Sequence, residues 1–303
     1  MTKILGAVSA AALTIAIAAP AMAQDKLKIG MTFQELNNPY FVSMKEALEQ
    51  AAGSIGAEVV FTDAGHDVAK QISDVEDMLQ QNIDILLVNP TDSAGIEAAV
   101  QMAKQQDVIV VAVDANANGP VDSFVGSKNK DAGYKSCKYL GEALDGKGEV
   151  AILDGIPVVP ILERVEGCKE ALAEFEGITL VDTQNGRQDR SVALGVVENM
   201  IQSHPNLAGL FSVNDGGAMG ALAAIQGSGK DIKLTSVDGA PEAVAAIAQG
   251  GAFIETTAQF PRDQVRVALG LALAQHWGAQ VVPKAVPIDV EVVDQKNAEG
   301  FSW

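Results

Sequence analysis

Leu87-Val88-Asn89, followed by Val111-Ala112-Val113-Asp114, is answered in the second half of the chain by Ser212-Val213-Asn214 and Thr235-Ser236-Val237-Asp238. Each pair ends an apolar or β-branched run on a short polar side chain. The Asn-to-Asp interval is 25 residues in the first half and 24 in the second. Two similar α/β units are implied. In such units ligands lie beyond the carboxyl ends of parallel strands, so two units facing each other would aim Asn89, Asp114, Asn214 and Asp238 into one cleft.

The rest of the chain supports this rhythm. Strand-like runs at Leu27–Met31, Glu58–Phe61, Ile83–Val88 and Val108–Val113 are separated by Ala/Glu/Gln/Leu-rich stretches of helical period. Turn-rich Ala115–Pro120 follows, then Ser123–Ser127 as a crossing strand near a domain boundary. The second unit places strands at Glu149–Leu153, Thr179–Asp182, Leu207–Val213, Lys233–Val237 and Phe253–Ala258. A helix from Arg262 to about Trp277 fits best returning to the first unit, and Val286–Val293 reads as a final strand. Strands alternating with helices point to parallel sheets.

Residues 1–23 read as an export signal: Lys3 is the charged start, Ile4–Ala18 the apolar core, and Ala21-Met22-Ala23 the small-x-small cleavage pattern. The apolar run is shorter than the roughly 20 residues of a membrane span and meets Pro20. Cleavage after Ala23 would leave a free periplasmic product starting at Gln24, with no cysteine there to carry a lipid. Losing Lys3 takes the formal charge from −18 to −19, which argues against nucleic-acid or anionic-membrane partners. Cys137 and Cys168 are the two cysteines, and in an oxidising compartment they are expected to form a disulfide between helices flanking the Glu149–Leu153 strand. His66, His204 and His276 show no metal-ligand spacing, so no metal or other cofactor is expected.

Asn38 and Pro39 suit the N-cap and first position of a helix, which accounts for two residues of Asn37-Asn38-Pro39-Tyr40-Phe41. Neighbouring helical positions point about 100° apart, so one of Tyr40 and Phe41 is expected to face the cleft while the other packs. Aromatic faces suit the C–H faces of sugars and polyols, and a Tyr hydroxyl adds a polar handle. Arg164 sits near the start of a helix, where its charge opposes the macrodipole, so it is either a surface partner of a neighbouring glutamate or a functional group. Gln259 ends a strand, and Gln188 lies in the loop Asn185–Asp189. Asn and Asp at matched strand ends offer the donors and acceptors that polyhydroxyl ligands need.

Enzymatic readings find little in the sequence. The turn Thr32–Leu36 lacks a glycine-rich dinucleotide loop, and there is no phosphate-cradling Gly-x-x-x-x-Gly-Lys-Ser/Thr or Gly-x-Ser-x-Gly elbow. Asp114 and Asp238 could in principle act as an acid/base pair, yet nothing marks one as the protonated partner.

Asn37–Phe41, Val88-Asn89-Pro90-Thr91-Asp92-Ser93, Val213-Asn214-Asp215, Val237-Asp238-Gly239 and Ala258-Gln259 resemble, in register, the ribose-binding-like periplasmic sugar-binding proteins of ABC importers, the type I periplasmic binding proteins. The resemblance covers nearly the whole chain after residue 23. It implies two Rossmann-like α/β domains with parallel sheets, joined by a three-crossing hinge around a ligand cleft: 24–127 plus 260–288, and 128–259 plus 289–303. It implies a non-enzymatic, monomeric protein that closes on a monosaccharide or small polyol and delivers it to a membrane permease. The matching positions assign the site to Asn38, Tyr40, Phe41, Asn89, Asp114, Arg164, Asn214, Asp238 and Gln259. Two positions depart from the ribose pattern: Ala115 stands where relatives carry a ligand-binding arginine, and Gln188 where they carry a third aromatic, which favours a ligand other than ribose. The rival classes are a periplasmic carbohydrate-processing enzyme and the ligand domain of a sugar-responsive regulator.

Overall fold

The computed structural model describes residues 26–303, so the expected export signal and its cleavage site lie outside the described residues. In the first half, apolar side chains alternate along each strand between two helical layers. Ile85, Leu87, Val111 and Val113 face one layer, and Leu86, Val88, Val110 and Ala112 the other. These strands are β1 (Lys28–Phe33), β2 (Glu58–Asp63), β3 (Ile85–Val88), β4 (Ile109–Val113) and β5 (Ser123–Ser127). With β11 (Ala285–Ile288) they form a sheet in the order β11-β5-β4-β3-β1-β2, parallel throughout. Ser123–Ser127 is therefore a member of this sheet, and the crossing comes after it.

Helix α1 (Pro39–Ser54) covers one face together with α9 (Pro261–His276), whose Val265, Ala268, Leu269, Ala272 and Leu273 pack against Ile29, Met31 and Met44. The opposite face carries α2 (Val68–Gln80) and α3 (Glu97–Gln105). The helix that follows Phe260 thus returns to the first domain, although it comes after the last parallel strand of the second.

The second sheet has the order β12-β10-β9-β8-β6-β7, built from β6 (Lys147–Asp154), β7 (Gly177–Asn185), β8 (Leu207–Ser212), β9 (Lys233–Asp238), β10 (Phe253–Ala258) and β12 (Glu291–Asp294). All its pairings are parallel except β10 with β12. Helices α4 (Asn129–Ala143) and α5 (Val159–Leu172) cover one face, and α6 (Arg190–Ser203), α7 (Asp215–Ser228) and α8 (Pro241–Gln249) the other.

The single final strand expected over Val286–Val293 is instead two strands in different sheets. Asp289 is left in solvent and Val290 is buried in the second domain's core, so the chain passes from one sheet to the other between them. This is the third crossing, after those following β5 and β10.

Helices α4 and α5 meet at backbone contact. A Cβ on Gly133 would lie 1.9 Å from the Arg164 carbonyl oxygen, and one on Gly167 would lie 2.0 Å from that of Lys130. The Cys137–Cys168 disulfide joins the same two helices, with Cα atoms 4.9 Å apart. This approach fixes where Arg164 leaves α5.

Candidate functional site

The polar groups converge where the two sets of strands end. Asp114 follows β4 in the left-handed region, φ 67°, and Asp238 closes β9 at φ 142°. Such backbone is uncommon outside glycine and concentrates at functional positions. Both carboxylates line one inner cavity between the domains, with Gln34, Asn38, Tyr40, Phe41, Arg164, Gln188 and Gln259 around them.

On the first domain, Asn38 caps α1 by accepting from the Tyr40 N–H at 3.0 Å, with Pro39 at the first helical position. The Tyr40 hydroxyl donates to Asp114 Oδ1 at 3.0 Å and accepts from Gln264 Nε2 at 2.8 Å. Burial raises the Tyr40 pKa well above the ordinary phenol value, and the Asp114 charge adds to it, so Tyr40 stays a neutral donor. Tyr40 and Phe41 are each 3% exposed and both line the cavity, unlike the expected division between cleft and core. With the cleft closed, the first turn of α1 has its own sheet on one side and the second domain on the other, and both directions are covered.

On the second domain, Arg164 is buried rather than paired with a surface glutamate. Its Nε donates to Asn129 Oδ1 at 2.9 Å, and Nη1 donates to the Val213 carbonyl at 2.8 Å and to Asp238 Oδ1 at 3.3 Å. Asp238 also accepts from Gln259 Nε2 at 2.8 Å and from the Asp215 N–H at 3.3 Å. Burial pushes both Asp114 and Asp238 above the ordinary carboxyl range, and the Arg164 charge acts against that rise in each. Asp215, likewise raised by burial, accepts from the hydroxyls of Ser236 and Thr256 and from the Ala240 N–H.

The matched asparagines are placed differently from their aspartates. Asn89 stands behind the wall: Oδ1 accepts from the Gln34 N–H, and Nδ2 donates to the Val113 carbonyl and to Asp114 Oδ2. Asn214 caps α7, accepting from the Gly217 N–H at 3.0 Å. Two of the four echoed residues therefore reach the cavity in this closed arrangement, and the other two have their amides engaged in the backbone around it. Gln188 lines the cavity, while its Oε1 accepts from the Ile156 N–H at 3.3 Å. Ala115 is buried.

Sequence reasoning passed over Gln34, Asn129, Asp215 and Gln264. Gln34 and Asp215 each come directly after a strand end or a residue already singled out, a positional signal that was available. Asn129 and Gln264 act through helices brought in by the fold.

A larger cavity of about 460 Å³ adjoins the inner one and shares Asn38, Gln188 and Asp238 with it. Its outer wall carries the Arg190–Glu242 ion pair, more than half exposed. Buried polar groups from both domains meet in the inner cavity and not in the outer one's exposed wall.

Residues 29–279 match the periplasmic binding protein domain family. The chain belongs to that family. Like its relatives, this periplasmic binding protein is a solute-binding protein and not an enzyme. It is 39% identical over 225 residues to the ribose import binding protein of Bacillus subtilis, covering 74% of this chain and 73% of that one. It is 34% identical over 297 residues to the ribose import binding protein of Salmonella typhimurium, covering 97% and 98%. Among solved structures it resembles an ABC transporter periplasmic solute-binding protein from Actinobacillus succinogenes with bound D-allose, at a TM-score of 0.86 and 30% identity over 91% of this chain and all of that one.

Proposed function

We propose that this periplasmic binding protein captures a monosaccharide or small polyol between its domains, where the inner cavity of about 20 Å³ widens to admit the ligand and the hinge closes over it, and delivers it to the permease of an ABC importer. The supporting observation is the excess of buried acceptors. Asp114 and Asp238 face each other from the two domains, and the Oε1 atoms of Gln34 and Gln259, both in the cavity wall, find no partner among the described residues. An unsatisfied buried acceptor costs about 1–3 kcal/mol. Hydroxyl groups supply the missing donors, and those on a ring or carbon chain bring C–H faces to the Tyr40 and Phe41 rings.

The binding set is Asn38, Tyr40, Phe41, Asp114, Arg164, Gln188, Asp238 and Gln259, with Asn89 and Asn214 holding the strand ends directly behind its wall. An alanine at 115 and an amide at 188 supply neither a guanidinium fork nor a third ring, so ribose is placed below another member of this class. The protein acts as a monomer exported by cleavage after Ala23. Its domains divide as 24–127 plus 260–288 and 128–259 plus 289–303. Calorimetric titration with pentoses, hexoses and four- to six-carbon polyols tests the reading, which requires one-to-one saturation by at least one of them.

A further inference from the structure

Trp303 touches the site from a segment with no counterpart in the sequence pattern. After β12, Phe301 packs on the second domain's core, its ring centroid 6.4 Å from that of Phe260. Two residues later, Trp303 packs against the core of the first domain. Its indole meets the Tyr40 ring edge to face, with centroids 5.7 Å apart and planes at 88°. Its Nε1–H donates to the Asp238 backbone carbonyl at 2.9 Å, a carbonyl that also accepts from the Gln259 N–H at 2.9 Å.

One side chain therefore joins a cavity residue of the first domain to a cavity residue of the second. Trp303 lines neither cavity itself. Hinge opening draws Tyr40 away from Asp238, and a rigid indole cannot follow both, so one contact breaks when the domains part. A contact present in the closed state and absent from the open one shifts the population toward closure with or without ligand.

We propose that Trp303 is a positioning residue, a strap that ties the Tyr40 ring to the Asp238 carbonyl and tightens ligand binding by favouring the closed state. The proposal rests on the reading of this protein as a solute trap that closes by hinge motion. Because the strap forms on closure and must break on release, its effect belongs in the dissociation rate more than the association rate.

Trp303→Phe keeps the ring and removes the N–H, while Trp303→Ala removes both contacts. Each is compared with wild type using D-ribose, D-allose, xylitol and myo-inositol as probes. For the tightest-binding probe, Trp303→Phe is expected to weaken binding about fivefold, the worth of one neutral hydrogen bond, through faster dissociation, and Trp303→Ala more. The unliganded unfolding midpoint of Trp303→Phe should stay at the wild-type value. The chain has two tryptophans, so in a Trp277→Phe background the emission of Trp303 should shift as the probe binds. A wild-type dissociation rate in Trp303→Phe, or an affinity loss that only follows a lowered unliganded midpoint, overturns the strap. If none of the four probes binds wild type, the solute reading is left to the full panel, and the strap is judged by solution scattering of the unliganded protein. A larger radius of gyration for Trp303→Ala than for wild type then supports the strap, and identical radii overturn it.

Discussion

Replacing Arg164 with alanine should destabilise the second domain as well as disturb its site. The guanidinium is buried and satisfies three acceptors: Asn129 Oδ1, the Val213 carbonyl and Asp238 Oδ1. Its removal leaves two neutral acceptors short of a donor and one carboxylate without its cation. Breaking a buried pair from one side costs about 3–5 kcal/mol. The cost should depend on pH in a definite direction. Burial already raises the Asp238 pKa in the folded state and Arg164 counteracts that rise, so the variant raises it further. A carboxyl whose folded pKa lies above its unfolded value contributes stability below the unfolded value and loses it as pH rises through the folded one. Arg164→Ala should therefore be hurt less at pH 5 than at pH 8. Adding Asp238→Asn should recover part of the loss, a non-additivity that measures the pair directly. Urea unfolding followed by circular dichroism at both pH values is the assay. A loss below about 1 kcal/mol at pH 8, or equal losses at both pH values with full additivity, would refute the reasoning.

Three further outcomes follow from buried groups and close contacts, with the Trp303 substitutions already described beside them. Gly133→Ala forces a Cβ onto the Arg164 carbonyl at 1.9 Å, so α4 and α5 must part, at a cost of about 1–3 kcal/mol. Gly195→Ala, in a helix with nothing within 4 Å of the new Cβ, should instead stabilise by roughly 0.5–1 kcal/mol, and destabilisation by the two in equal measure would contradict the packing argument. Glu255 is buried on β10, accepting from the Ser136 and Thr257 hydroxyls, and burial lifts its pKa from 4.5 to about 8. Its contribution is present below pH 4.5 and lost as pH rises toward 8, so wild type should fall relative to Glu255→Gln across that window, by about 3 kcal/mol at pH 7. Parallel stability profiles for the two proteins would contradict it.

The fold was legible because its periodicities are strong. Runs such as Ile85–Val88 and Ile109–Val113 are buried on both faces and read as parallel strands, and the echo of Asp114 in Asp238 located the two sides of the cleft. Position alone could not separate residues at the cavity wall from those one layer behind. Asn89 and Asn214 occupy strand-end positions like those of their aspartates, yet the Asn89 amide is held by the Gln34 N–H from a distant part of the chain, and Asn214 turns back on its own helix as an N-cap. The merged strand over Val286–Val293 has a similar origin, since an apolar run carries no mark of the sheet each half joins. Gly133, Cys137 and Gly141 share one face of α4 at four-residue spacing, a visible sign of close helix packing that bears on Arg164 only through α5. Trp303 left no signal, because its two contacts are 263 and 65 residues away in the chain.

Isothermal titration of the unliganded protein with ribose, other pentoses, hexoses and four- to six-carbon polyols tests the central claim most directly. The arrangement of Asp114, Asp238, Gln34 and Gln259 requires that at least one of these polyhydroxyl compounds saturate a single site and that Asp238→Ala remove the heat of binding, while Ala115 and Gln188 require that another compound bind more tightly than ribose. No saturable heat from any member of the panel would contradict the assignment of a hydroxyl-rich ligand, and ribose binding most tightly of all would contradict the weight placed on Ala115 and Gln188.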